Sequence, residues 1–288
     1  MARPKLPAAQ VADAESRTLE QIFSVSMFAS PEDLYKHALN ILSTATSHQE
    51  LVYKNVPPAW AQTILDRLDN RFEGRFRKNY NSITSTVWIR IMPTRIHDCH
   101  HTWAITQKGR WNRAGLTTPT EDEELNFFVG TTIPFATGPY SNSTKEPDLL
   151  IQPNGQPFPS VVIESGWSES LSRLQDDMNL WLVGGQGQVK ATIILNWQRV
   201  GNTDMVRGSV YLYTLDRNGI LHLRQHITVF PAPAPPQAAS EQLVLSRREI
   251  FGGNFFQGQN PNDQFAFSID LLRQKATTLL ALMNLVPA

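Results

Sequence analysis

The sequence is almost without cysteine: Cys99 is the only one in 288 residues. An intramolecular disulfide framework is therefore excluded, and a reducing compartment is the simpler expectation. The chain also has no run of about 18 apolar residues of the kind that spans a bilayer. Residues 1–17 lack the apolar core of a secretory signal and read as part of a flexible tail over 1–20. An intracellular protein of cytoplasm or nucleus, with no membrane partner, is the expectation. Neither charge is in excess, since 26 basic and 26 acidic side chains give a formal net charge of +0. No whole-molecule field draws the protein to a polyanion, so a nucleic acid would have to be held by a local patch. Internal repeats are absent as well. What remains, 41% hydrophobic and 18% charged residues, is the composition of an ordinary globular chain of one or two domains.

Ser30-Pro31-Glu32-Asp33 has the form of a helix start, with a capping serine, proline at the first helical position and acids in the first turn. Leu34, Ala38, Ile41 and Leu42 follow at helical spacing. Trp60, Ile64, Leu65, Leu68 and Phe72 predict a second helix from Pro58 to about Phe72. The period then changes. A hairpin is expected from Phe76 to Met92, with a turn at Asn79 to Ser82 and a strand from Thr86. Asp98 to about Leu116 reads as helix, Thr117 to Glu124 as an acidic loop, and Leu125 to Phe135 as a strand. Leu171, Leu174, Met178, Trp181 and Leu182 form one helical stripe, ended by Gly184-Gly185. Val189 to Trp197 is a buried strand, and strand, helix, strand over this length predicts a parallel crossover. Asn218-Gly219 predicts a tight hairpin turn.

These elements divide the chain into a tail at 1–20, an N-terminal helical region at 21–75 and an α/β core at 76–230. A stiff proline-rich linker at 231–240 precedes a C-terminal extension at 241–288 that packs on the core, with an amphipathic helix around Leu271 to Leu285.

The sharpest chemistry lies at Asp148 and Glu164. Each is delivered by an apolar strand, in Glu146-Pro147-Asp148-Leu149-Leu150-Ile151 and Val161-Val162-Ile163-Glu164. Paired strands lie about 4.8 Å apart and can hold two carboxylates around one hard cation. The bland alternative is a pair of solvated strand-end acids. Arg71, Arg75, Arg77 and Lys78, interleaved with Phe72, Phe76 and Tyr80, form the best local basic patch for a nucleic-acid backbone, with a solvated helix end as its alternative. His97-Asp98-Cys99-His100-His101 has no recognised zinc spacing, and Asp98 reads rather as a helix cap. Gly184 to Gln188 follows a helix and precedes a strand, the reverse of a phosphate-binding loop.

The ordered set Tyr80-Asn81-Ser82, Ile89 to Pro93 with His97-Asp98, Glu146-Pro147-Asp148, Val161 to Glu164, Trp167 to Ser170 and Val189-Lys190 resembles the PD-(D/E)XK nuclease superfamily. More narrowly it is similar to fungal nuclease-like proteins and to the predicted bacterial endonucleases related to them. The resemblance covers roughly residues 76–215. It implies a restriction-endonuclease-like α/β fold, a mixed central sheet flanked by helices, here under an N-terminal helical cover. It further implies a metal-dependent phosphodiester hydrolase acting on DNA or RNA, with Asp148 and Glu164 holding Mg²⁺ or Mn²⁺.

One departure stands out. The family has lysine two residues after the glutamate, and this chain has Gly166. Lys190 and Lys145 are the candidate substitutes. Lys190 is preferred, because it opens the strand expected to pair beside Glu164, although a strand-start lysine also snorkels to solvent. The competing function is a catalytically degenerate domain that keeps the fold as an interaction module; under either function the oligomeric state is open, a homodimer included.

Overall fold

Serine at a cap and proline at the first helical position fix where the first helix begins. In the computed structural model, which describes residues 19–288 other than 47, 73–75, 92–93, 168–170 and 255, Ser30 Oγ accepts from the Asp33 N–H at 3.2 Å. Its helix is α1 (Pro31–Thr44), between β1 (Leu19–Ser24) and β2 (Gln49–Lys54). Then come α2 (Pro58–Phe72), β3 (Phe76–Asn81) and β4 (Thr86–Ile91). The strands run in the order β1-β2-β4-β3, with β1 parallel and β4 antiparallel to β2.

The chain divides into two compact units, residues 1–80 with 84–93, and 81–83 with 94–288. The first is not a cover of helices alone, as the sequence predicts, but helices on a sheet. Leu34 and Ala38 of α1, Ile64 and Leu68 of α2, Leu51 and Tyr53 of β2, and Val87 and Ile89 of β4 share one core. The strands at 76–91 therefore belong here rather than with the α/β core. The turn of their hairpin lies at 82–85, with Ser85 at φ 48°, later than Asn79 to Ser82.

The second unit is mixed α/β. Its helices and strands begin with α3 (Cys99–Arg113), α4 (Pro119–Glu124), β5 (Leu125–Phe128), β6 (Ile133–Phe135), β7 (Ser143–Lys145), β8 (Leu149–Pro153) and β9 (Val161–Trp167). They continue with α5 (Leu171–Gly184), β10 (Ala191–Arg199), β11 (Met205–Leu215) and β12 (Leu221–Phe230). The chain then forms α6 (Pro235–Ser240), β13 (Gln242–Ser246), α7 (Arg247–Phe251), β14 (Gln264–Ser268) and α8 (Ile269–Ala281). The main sheet runs β12-β11-β10-β9-β8-β5. Only β9 and β10 among these neighbours are parallel, joined through α5 as expected.

Alternation along these strands separates two buried faces. Leu149, Ile163, Ile193 and Leu195 share one core with Trp103 and Trp111 of α3, Phe265 and Phe267 of β14, and Leu272 and Leu280 of α8. Leu150, Val162 and Ile194 share the other with Leu174, Met178 and Trp181 of α5.

Three segments of the sequence reading are structured differently. Thr117 to Glu124 contains a helix, because Thr118 and Glu121 close a capping box, each side chain satisfying the other's backbone N–H. Leu125 to Phe135 is two strands, parted by a turn in which Gly130 takes φ 75°. The linker at 231–240 ends as α6, since proline starts a helix as readily as it stiffens a coil. Buried Arg273 clasps it, donating to Ala238 O at 3.2 Å and to Val229 O at 2.9 Å.

Candidate functional site

Strand register brings the two carboxylates together. In the antiparallel β8–β9 ladder Leu149 faces Ile163 and Leu150 faces Val162. One step further, Asp148 falls opposite Glu164. Directly opposed residues project to the same side of a sheet with Cβ atoms about 5 Å apart. Both side chains are buried, Asp148 and Glu164 each at 2% exposure.

Each carboxylate has its own holders. Asp148 Oδ2 accepts from the Ser165 backbone N–H at 2.7 Å and lies 3.1 Å from His97 Nε2. Glu164 Oε1 accepts from the Trp181 indole N–H at 2.6 Å, so α5 anchors it. Lys145, at the end of β7 and fully buried, sets its ammonium 2.7 Å from Asp177 Oδ2 and 3.4 Å from Glu164 Oε2.

Burial is the largest influence on Glu164 and pushes its carboxyl up to about 8. The Lys145 cation and the Trp181 N–H pull the other way, while Asp148 and Asp177 add to the rise. Burial likewise opposes charge on Lys145, but Asp177, Glu164 and Asp148 outweigh it and its pKa is raised. The two shifts treat Glu164 differently, since an anion is needed to raise Lys145 and a carboxyl near 8 is mostly protonated at pH 7. The shorter contact decides the matter: Asp177 is the anion that holds the ammonium, and Glu164 carries a proton at neutral pH.

The histidines frame Asp148. His97 Nδ1 lies 3.1 Å from Asp98 Oδ1, so the Asp98 side chain makes no cap bond to α3 and instead orients the imidazole. Burial, opposing the Asp98 charge, is outweighed by His97, and the Asp98 pKa is lowered. His100 is driven by burial down to about 4 and is neutral at pH 7. Giving its single proton to Nδ1 satisfies the 2.7 Å contact with His97 O, and Nε2 lies 3.2 Å from Asp148 O. Cys99 points into the apolar core and His101 is exposed, so this histidine-rich run does not converge on one point.

The lysine preferred from sequence lies elsewhere. Ala191 pairs with Val161 and Ile194 with Glu164, which leaves Lys190 about 13 Å down the strand at four residues of about 3.3 Å each. Its ammonium donates to Gly187 O. The structure brings Lys145 to Glu164 instead. A lysine immediately before Glu-Pro-Asp, separated from Asp148 by only two residues, was the signal that could have found it.

The basic patch is dispersed. Lys78 is 6% exposed, because its side chain turns inward to pair with Asp69 and reach Leu65 O at 3.4 Å. Arg71 is exposed at the end of α2 and Arg77 is half-buried on β3, while Arg75 lies outside the described residues.

As donors, Asp148 and Glu164 fit a hard divalent cation in kind: both side chains supply carboxyl oxygens, and a bound cation would take the place of the Glu164 proton. Among the described residues no group of three or more His, Cys, Asp or Glu side chains stands ready for one metal ion. Nor is any helix among them long and apolar enough to cross a membrane. No protein-family model matches the chain, and no curated protein sequence matches it.

Proposed function

We propose that the chain is a metal-dependent phosphodiester hydrolase of the restriction-endonuclease-like type, with Asp148 and Glu164 as metal ligands and Lys145 in the role of the missing lysine. The observation that carries this reading is the meeting of Lys145, Glu164 and Asp148 in one buried group, each delivered by or beside a different strand. Lysine, glutamate and aspartate are the family's reacting set, here with the lysine supplied from β7. A bound Mg²⁺ or Mn²⁺ would supply an activated water and neutralise charge on the phosphate. The chain's own residues do the rest. Asp177 fixes the Lys145 ammonium as a stationary positive charge for the developing phosphorane. Trp181 and Ser165 hold the two carboxylates, so that neither must reorganise.

A second reading rests on burial. With Asp148, Glu164 and Lys145 each at 2% exposure, the group also suits a sealed ionic network in a domain that no longer cleaves and acts as an interaction module. Purified protein incubated with single-stranded and duplex DNA and RNA in Mg²⁺ or Mn²⁺ separates the two. Cleavage that is lost in both Asp148→Asn and Glu164→Gln supports the hydrolase. No cleavage of any substrate, with no Mn²⁺ binding by calorimetry, leaves the module.

A further inference from the structure

On the sheet face that carries Glu164, beyond the start of α5, a groove of about 580 Å³ opens over β10, β11 and β12. Its floor follows from strand register. Asn196 pairs with Ser209, and Ser209 with Thr228, while two residues along, on the same face, Gln198 pairs with Arg207. Asn196 also pairs with Gly166 of β9, two residues past Glu164, and glycine has no side chain to lay against it. A β-bulge between Gly208 and Ser209 breaks the ladder at the groove, a device that re-aims side chains beside binding sites.

Asn196 is the telling residue. It is 7% exposed, it lines the groove, and its Oδ1 has no hydrogen-bond partner among the described residues. A buried amide oxygen left unmatched is costly, and a turn of the Asn196 side chain toward the groove would bring that oxygen to a ligand that donates to it. Tyr211 forms one wall, its ring stacked on His226 at 4.3 Å and 3°. Of the described residues lining the groove, Arg207 alone is charged.

We infer that this groove binds one unpaired nucleotide of a single-stranded nucleic acid: its base meets Asn196 and Gln198, its ring lies along Tyr211, and its phosphate meets Arg207. A duplex is the poorer fit, because it presents one charge per about 1.7 Å and is held by several cations at once. Amides and an aromatic wall instead suit a base with free edges and faces. The choice of nucleotide over other phosphorylated rings rests on the phosphodiesterase reading.

The test is fluorescence anisotropy of the full chain with a fluorescein-labelled 12-nucleotide single strand in EDTA, against the matching duplex. Binding of the single strand is expected to be at least about tenfold tighter. Arg207→Glu, an exposed change, and Tyr211→Ala are each expected to weaken it about tenfold with unchanged circular dichroism, and Lys190→Met, outside the groove, is expected to bind as the unaltered protein does. Equal or tighter duplex binding, no binding at all, or full affinity in both groove variants would overturn the inference. So would ribose 5-phosphate competing as well as a mononucleotide. Single-strand binding that needs Arg207 and Tyr211, in a protein that cleaves nothing, upholds the groove and removes the hydrolase. Cleavage with both groove variants binding normally does the reverse.

Discussion

Lys145 Nζ stands 3.4 Å from Glu164 Oε2, and neither side chain is more than 3% exposed. The two residues lie 19 apart in sequence, and β7 and β9 bring them together. In a medium of low dielectric such a neighbour influences the carboxyl strongly, even though Asp177 holds the ammonium more closely.

If the group is catalytic, Lys145→Met is expected to lower Mn²⁺-dependent cleavage by about 100-fold or more, as removal of a fixed stabilising charge does. Lys190→Met, far down the strand, is expected to stay within about twofold of the unaltered protein. Single-turnover rates at saturating metal decide it. A large loss in Lys190→Met with none in Lys145→Met would reverse the assignment.

Removing one partner of a buried charged group leaves the others uncompensated, so Lys145→Met is also expected to destabilise the fold by about 3–5 kcal/mol. Lys145→Met combined with Asp177→Asn should recover part of that loss, because the stranded anion is gone. Urea midpoints at pH 7 measure both, and a double variant no more stable than Lys145→Met would contradict the pairing.

Glu164 gives the fold a pH signature. Its carboxyl titrates at about 8 in the folded protein and near 4.3 in an unfolded chain. Between these values the folded state holds the proton and the unfolded state does not, so this contribution is complete below about 4.3 and lost as pH rises through about 8. Glu164→Gln, which cannot ionise, is expected to flatten the decline of stability across that window. An unchanged slope in denaturant titrations from pH 5 to 8.5 would show that Glu164 is not its source.

His100 acts in the opposite sense. Its folded pKa is about 4, below the unfolded value near 6.5, so the unfolded state takes up protons first and stability falls as pH drops from about 6.5 through 4. His100→Gln should remove that acid-side loss, at a cost from the altered contact with His97 O. Histidine NMR titration gives the pKa directly, and a value above 6 would refute the neutral ring.

Gly185 should not tolerate a methyl group. An added Cβ would fall 2.4 Å from Trp181 O and 2.6 Å from Val189 Cγ2, one of them backbone and neither able to swing away. Gly185→Ala is expected to cost about 1–3 kcal/mol through overpacking at the end of α5. A thermal midpoint equal to that of the unaltered protein would contradict the close approach.

What could be read from sequence was local. Ser30 with Pro31, and the spacing of Ile64, Leu65 and Leu68, set α1 and α2 because caps and helical period are properties of a few adjacent residues. The pairing of β9 with β10 followed from their continuous apolar runs and the helix between them. Thr118 and Glu121 carried the spacing of a capping box, but the acidic and β-branched composition around them concealed it. Lys190 failed for a different reason. Its strand was right and its distance along the strand was not, because register decides which end of a parallel pair meets Glu164. The same limit hid the groove, whose residues come from three strands and meet only when Asn196, Ser209 and Thr228 fall into line.

The Trp103 indole donates to Ser268 O at 2.8 Å, across a separation of 165 residues. This bond ties α3 to the segment leading into α8, both on the Leu149 and Ile163 face of the main sheet. Closing so large a loop is an entropic cost that only late contacts repay, which slows refolding. Until α8 arrives, that apolar face is open to other molecules in the same state. Refolding yield should therefore fall as protein concentration rises, a kinetic hazard created by where the two halves of one hydrophobic layer lie along the chain.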